Sequence, residues 1–439
     1  MTLESRLLAT LTPWRDAPAW RVAFSGGLDS SVLLHLLAAL ARRESVPPIS
    51  AIHVHHGLQP AADAWPAHCQ RLCDALGIPL HTQTVEVLPG ASLERAAREA
   101  RYAAFAAALG AGEALLTAQH RDDQAETLLF RLLRGAGVRG LAAMPSSRPL
   151  GAGFLLRPLL GCSRAELQAY AVEHRLSWVD DPSNADCRFS RNYLRQRVLP
   201  LLAGRWPHAT TTLARAAEHL GEAAQLLDEL AQQDLLSAQA PSPFVWLQLP
   251  NLCLPPLCAL SAARQRNALR YWLRELTPMP DTEHWAGWQA LRDAARDAAP
   301  VWRLAAGELR RADERLWWLS GDWLRSPPLV RLRPEVDRAL PLPGNGWVRI
   351  DGQLPAGGDW QLAYRRGGEW MTLPGRGRRD VKRLLNERQV PAFVRGRLPL
   401  LVQDGEVRAV ANLPGLDGPG DGRWRLSWQP PGNDPGLSW

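Results

Sequence analysis

Between residue 20 and about residue 157, short apolar runs alternate with longer stretches whose apolar positions recur every three or four residues. The runs at 21–24, 49–55, 80–87 and 114–118 predict strands, and the stretches at 30–43, 62–76, 93–109 and 122–134 predict amphipathic helices. This β-α-β-α order predicts a Rossmann-like, doubly wound parallel sheet covered by helices. In such a sheet, ligands gather at the carboxyl ends of the strands.

The pattern changes after about residue 202. Helical stretches at 210–236 and 262–276 are separated by proline-rich pieces, and a proline-rich segment at 326–346 reads as a linker. Beyond it, strand-like runs at 360–364, 399–403 and 406–411 flank a basic stretch, which predicts a small α+β module. The expected division is therefore 1–205 for an α/β domain, 206–325 for a helical domain, 326–346 for the linker and 347–430 for the C-terminal module. No internal repeat of fixed period interrupts that plan.

Composition adds a modest polyanion signal. The net charge is +7 over 439 residues, and the cationic side chains are arginines apart from Lys382. Arginine enrichment suits phosphate binding but is equally what GC-rich coding would leave behind, so the charge alone decides nothing. The six cysteines (Cys69, Cys73, Cys162, Cys187, Cys253 and Cys258) form no Cys-x-x-Cys pair and are too sparse for a disulfide framework, which points to a reducing cytoplasm. Cys69 and Cys73 lie one helical turn apart, yet no nearby pair of Cys or His completes a zinc set. The N-terminal residues lack the apolar core of a signal peptide, and no run approaches the ~18 apolar residues of a membrane span. A soluble, cytoplasmic protein is expected.

The sharpest chemical signal is Phe24-Ser25-Gly26-Gly27-Leu28-Asp29-Ser30-Ser31, set between an apolar strand and an apolar helix. Glycines allow a tight turn and close approach to a phosphate, while Ser25, Ser30 and the amides at the helix start offer donors backed by the helix dipole. There is no Gly-Lys-Ser/Thr, so this is not a Walker loop. The octet resembles the pyrophosphate loop (PP-loop) of the ATP-pyrophosphatases, which split ATP between its α- and β-phosphates and pass AMP to a substrate oxygen. Ser25, Gly26, Gly27, Leu28, Asp29 and Ser30 would then hold ATP. Several subfamilies share this loop, so it sets the reaction class and not the substrate.

Three further segments narrow the resemblance. They are Ile52-His53-Val54-His55-His56-Gly57-Leu58; Thr117-Ala118-Gln119-His120-Arg121-Asp122-Asp123-Gln124-Ala125-Glu126-Thr127; and Arg157-Pro158-Leu159-Leu160 followed by Trp178-Val179-Asp180-Asp181-Pro182-Ser183-Asn184 and Arg191-Asn192-Tyr193-Leu194-Arg195. In order and spacing these resemble the tRNA(Ile)-lysidine synthetase family over roughly the first 200 residues, with a weaker likeness in the C-terminal module. The resemblance implies ATP and Mg²⁺, free L-lysine, and the isoleucine tRNA with a CAU anticodon, whose wobble cytidine becomes lysidine through an adenylated intermediate. It further implies that the helical domain and the C-terminal module bind tRNA. Gln119 and His55 stand where the family often has His and Asp.

The residues can be read on their own terms as well. Asp123 and Glu126 are three apart on a helix that begins at a strand's carboxyl end, so both carboxylates can face a nucleotide site. They suit either an ammonium group or Mg²⁺, with Asp29 or Asp122 as other candidates for the metal; the alternative is that Asp122 and Asp123 are first-turn acids favoured by the helix dipole. Arg191 and Arg195, four apart on one helical face, could hold tRNA or ATP phosphates, or could be a solvated basic face. The resemblance adds Asn192, so that Asp29, Asp123, Glu126, Arg191, Asn192 and Arg195 form the expected catalytic set. His53 and His55 fall on one strand face and His56 on the other, which favours packing at the pocket mouth over a metal site.

In the C-terminal module, Arg365, Arg366, Arg376, Arg378, Arg379, Lys382 and Arg383 concentrate positive charge suited to phosphates. Three rivals remain. A tRNA thiolase would carry a reactive or cluster-binding Cys near the loop, a glutamine-dependent amide synthetase would need an amidotransferase, and a non-catalytic tRNA-binding protein would not need the carboxylates. The sequence does not reveal the oligomeric state, a homodimer being one candidate.

Overall fold

Trp20, Val22 and Phe24 pack into one core with Val32, Leu33, Leu36 and Leu37, each at most 1% exposed. Burying such a side chain contributes about 1.5–3 kcal/mol, so this strand and the helix after it anchor the first unit. The computed structural model describes residues 2–57, 60–87, 93–278, 284–295, 298–328 and 332–432. Two compact units divide the chain, Met1–Leu226 and Leu227–Trp439.

In the first unit, α1 (Leu3–Leu11) precedes β1 (Trp20–Ala23), α2 (Leu28–Ala41), β2 (Ile49–His55), α3 (Trp65–Leu76), β3 (Leu80–Thr84), α4 (Leu93–Ala108), β4 (Ala114–Leu116) and α5 (Arg121–Leu132). All but α1, which the sequence reading does not include, are the expected elements with ends moved by a few residues. Leu58, at the end of the Ile52 segment, lies outside the described residues. After α6 (Val138–Leu141), a hairpin of β5 (Ser147–Leu150) and β6 (Gly153–Leu156) extends the sheet, a pair not foreseen from sequence. The order is β3-β2-β1-β4-β6-β5, parallel throughout except for β5 against β6. The chain runs outward from β1 through β2 to β3, then returns to place β4 on the other side of β1. That reversal opens a crevice at the carboxyl ends of β1 and β4.

Three further helical pieces complete the site's surroundings: α7 (Arg164–Glu173), α8 (Ser190–Tyr193) and α9 (Leu199–Arg205). Between α8 and α9 the helix continues as a π turn, Leu194–Val198. A long helix, α10 (Ala209–Leu236), follows, and the boundary between the units falls within it.

The second unit holds α11 (Leu254–Cys258), α12 (Ala262–Leu273) and α13 (Trp285–Asp293), together with an antiparallel sheet absent from the sequence expectation. Its strands β7 (Asn251–Cys253), β8 (Val301–Leu304), β9 (Gly307–Ala312) and β10 (Arg315–Leu319) lie in the order β7-β10-β9-β8. Trp285, Trp288, Trp302 and Trp318 fill the core between this sheet and the helices.

Toward the C-terminus, β11 (Leu340–Pro341), β12 (Trp347–Gly352) and the last strand (Trp424–Gln429) make a three-stranded sheet. A five-stranded sheet includes Trp360–Tyr364, Pro399–Gln403 and Glu406–Val410, the three runs read from sequence. Residues 326–346 contribute more than a linker would, since they supply β11 and the buried Leu342 and Asn345; 329–331 lie outside the described residues. Leu247, Trp317 and Trp323 share one core with the C-terminal sheets. Among the described residues, no helix is long and apolar enough to cross a membrane.

Candidate nucleotide site

The loop after β1 takes its shape from its own backbone and its close neighbours. Gly26 sits at φ +82°, and a Cβ there would meet Cys69 Sγ at 2.9 Å and Val179 Cγ2 at 3.2 Å, so glycine is required twice over. Gly27 is different: its backbone is extended, φ −76°, and it opens α2 as the N-cap with no side-chain cap. The first amides of α2 therefore remain available to an anion. Ser25 Oγ lies 3.0 Å from Ser30 Oγ and accepts from the Gly27 amide at 3.3 Å, while Ser30 Oγ donates to Gly27 O at 3.0 Å. Val179 fastens the neighbouring 180–184 turn by donating its N–H to Gly26 O at 2.9 Å.

Asp29, in the first turn of α2, projects to the base of α5. Its Oδ2 is 3.7 Å from His120 Nε2, and its Oδ1 is buried with no hydrogen-bond partner. His120 is the N-cap of α5, 1% exposed, and stands 3.5 Å from Asp123 and 3.6 Å from Asp122. Burial raises the Asp29 carboxyl above the ordinary range, opposed by His120 and reinforced by Asp123. For His120, burial alone would lower the imidazole, but Asp122, Asp123 and Asp29 outweigh it and raise it. The histidine thus joins the cradle to the α5 carboxylates. The sequence places His120 near the carboxylates at the nucleotide site but not in the catalytic set; its position as the N-cap before two aspartates is the signal for this linking role.

Asp123 and Glu126 face the same way, as their spacing predicted. They are not free. Arg191 Nε donates to Glu126 Oε2 at 3.0 Å, Arg195 Nε to Glu126 Oε1 at 2.6 Å, and an Arg195 Nη to Asp123 Oδ1 at 3.0 Å. The two carboxylates and two guanidiniums form a closed, formally neutral set, with Glu126 1% exposed. Arg191 also donates to Thr127 Oγ1 at 3.3 Å. Arg195 sits in the π turn, a conformation of well under 1% of residues that concentrates at functional sites.

Two other expected site residues have local duties. Asp122 Oδ2 accepts the Arg164 amide at 2.9 Å at the start of α7. Asn192 donates to the carbonyls of Ser183 and Asp186 at 2.9 and 3.0 Å, which ties down the 183–186 turn.

His53 is buried and 2.9 Å from Phe24 O, and burial lowers its imidazole. His56 is lowered to about 4, by burial first and then by Arg101. Burial pushes the Cys69 thiol up to about 12 and the Cys73 thiol up to about 11. Among the described residues, no group of three or more His, Cys, Asp or Glu side chains is arranged to hold a metal ion. Beside the phosphate cradle, Asp29 keeps a buried oxygen to offer a cation.

Comparison with known proteins agrees along the chain. A PP-loop domain model matches residues 1–202, a TilS substrate binding domain 252–317, and a TilS substrate C-terminal domain 360–428. The tRNA(Ile)-lysidine synthase of Pseudomonas aeruginosa is 63% identical over 440 residues, covering 99% of both chains. That of Pseudomonas fluorescens is 62% identical over 435 residues, with 99% of this chain and 98% of the relative covered. Coxiella burnetii has one 38% identical over 446 residues, covering 97% and 96%. With an ATP-utilising PP-loop domain and relatives of this identity along its whole length, the chain belongs to the tRNA(Ile)-lysidine synthase family.

Proposed function

We propose that this protein ligates free L-lysine to C2 of the wobble cytidine of the CAU-anticodon isoleucine tRNA, in the cytoplasm, with release of AMP and pyrophosphate. The observation that carries the reading is an unbroken chain of contacts: an uncapped helix start for phosphates, then Asp29, His120 and the Asp123–Glu126–Arg191–Arg195 set.

In the first half-reaction, cytidine O2 attacks the α-phosphorus of ATP, and the bond to the bridging oxygen of pyrophosphate breaks. Ser25, Ser30 and the α2 amides bind the departing pyrophosphate. Mg²⁺ would be held at Asp29, where a buried carboxylate oxygen lacks a partner, and it would neutralise phosphate charge. Asp122 is a weaker candidate, because one of its oxygens caps α7. In the second half-reaction the neutral ε-amine of lysine attacks C2; the C2–O2 bond breaks and AMP leaves with that oxygen.

An ammonium group of ordinary pKa ~10.4 must lose a proton before it attacks. Asp123 or Glu126 would orient lysine and accept that proton as an arginine moves off, leaving a guanidinium to follow the phosphate charge. The C-terminal module would grip the body of the tRNA. A thiolase reading fares worse, since Cys69 beside the loop is held protonated, the opposite of a nucleophilic thiol.

The test is AMP release from labelled ATP, with tRNA and lysine each omitted in turn. Release that needs the tRNA, and turnover that needs lysine, is the expected pattern. Release requiring glutamine or a sulfur donor would overturn it.

A further inference from the structure

The helix that carries Arg191 and Arg195 inward also has an outward side. Phe189, Tyr193, Leu201 and Trp206 are 41%, 52%, 77% and 58% exposed, although large apolar side chains usually find cover. Arg197 and Arg205 are exposed among them, neither in an ion pair with a carboxylate among the described residues, and the Arg205 guanidinium lies 5.8 Å over the Trp206 ring. Tyr193, Arg197, Leu201 and Arg205 recur every four residues. In an α-helix, at about 100° per residue, such a repeat drifts forward by about 40° each step. The π turn Leu194–Val198 advances by less per residue and offsets that drift, so the strip runs along the helix. Residues two positions away, Arg191 and Arg195, fall on the opposite side and hold the carboxylates.

We infer that this strip is the surface on which unpaired bases of the RNA substrate stack, with Arg197 and Arg205 on the flanking phosphates. Aromatic faces interleaved with arginine fit single-stranded nucleic acid, because every base offers a π-face and the backbone offers charge. A paired stem could use the arginines but not the rings. The strip shares a helix with Arg195, so bases stacked on it would lie on the element that reaches the reactive site. This inference rests on the functional reading for the identity of the RNA, not for the existence of the surface.

The experiment measures affinity of the full-length protein for two probes, a CAU anticodon stem-loop and a fully paired RNA of the same length, for the parent and for Tyr193→Ala, Tyr193→Phe, Trp206→Ala and Arg197→Gln. Loss of a stacking ring should weaken stem-loop binding by on the order of 10-fold or more. Tyr193→Phe should bind like the parent, Arg197→Gln should reduce the salt slope by about 1, and the paired probe should be unaffected by either ring deletion. ATP affinity should not change in any variant. Parent affinity for the stem-loop retained by both alanine variants would overturn the inference. So would conversion of a dimer to a monomer by Trp206→Ala with RNA affinity intact, which would make the strip an interface between copies. AMP release by the parent on whole tRNA reports separately on the functional reading, so either can fail without the other.

Discussion

Gly26 and Gly27 look equivalent in the sequence and are not equivalent in the fold. Alanine at position 26 must adopt φ +82° and meet Cys69 Sγ, so it should cost on the order of 2 kcal/mol of stability or more and abolish AMP formation. Alanine at position 27 meets ordinary contacts at 3.5 and 3.8 Å and loses only an N-cap preference, about 0.5 kcal/mol. Denaturant midpoints of the two variants check this, and equal midpoints would contradict it. Glu126→Gln leaves two partly exposed guanidiniums facing one buried amide; solvent screens them, so the loss of stability should be measurable but below the roughly 3–5 kcal/mol of breaking a fully buried pair, and should accompany a lysidine-forming step slowed by about 10²-fold or more. In single-turnover reactions adenylated tRNA should accumulate. If no adenylate forms and added Mg²⁺ restores it, the carboxylates serve the metal instead. The loop residues were legible because the cradle is contiguous in the chain. The pairing of Arg195 with Asp123 and Glu126 was not, because a spacing of about 70 residues carries no periodicity, and each member alone looked ready for an outside ligand.

At the scale of elements, the first unit was legible because its strands are short apolar runs and its helices carry a clear three-four period. The β5–β6 hairpin escaped notice since each strand is four residues long around a glycine-rich turn. In the middle region, β9 reads Gly-Glu-Leu-Arg-Arg-Ala, with more polar than apolar positions; only its partners make it a strand. Helix α7 offers a pH test. Glu166 is in a capping box with Ser163 and bonds Arg6 at 2.5 Å, and although burial works against it these partners lower the carboxyl to about 2. A depressed carboxyl contributes stability that is present above the unfolded pKa of about 4.3 and is lost as pH falls through the folded value. The midpoint difference between the parent and Glu166→Gln should therefore be constant from about pH 7 to 5 and shrink progressively below about 4. A difference that grows on acidification would show that Glu166 is not acting as an anion.

For the whole molecule, proline content marked a linker where the fold has a shared core. Leu247, Trp317 and Trp323 pack with the C-terminal sheets, so a chain cut after residue 346 should expose tryptophan and aggregate rather than yield a clean catalytic fragment. Charge substitution is the better probe of that module: Arg378→Gln with Lys382→Gln should lower the salt slope of tRNA binding by about 2 while leaving the stack of the wobble region in place. An unchanged slope would return these side chains to the solvated surface. The proposed reaction joins all three scales: a cradle that would activate, a carboxylate set that would present an amine, and a surface that would bring the base. Its most direct test incubates the protein with ATP, the CAU isoleucine tRNA and isotopically labelled lysine, then digests the tRNA and identifies the wobble nucleoside by mass spectrometry. Label bonded to the wobble cytidine, one per AMP released, is the expected result; AMP and pyrophosphate formed with no lysine label in that nucleoside would contradict it.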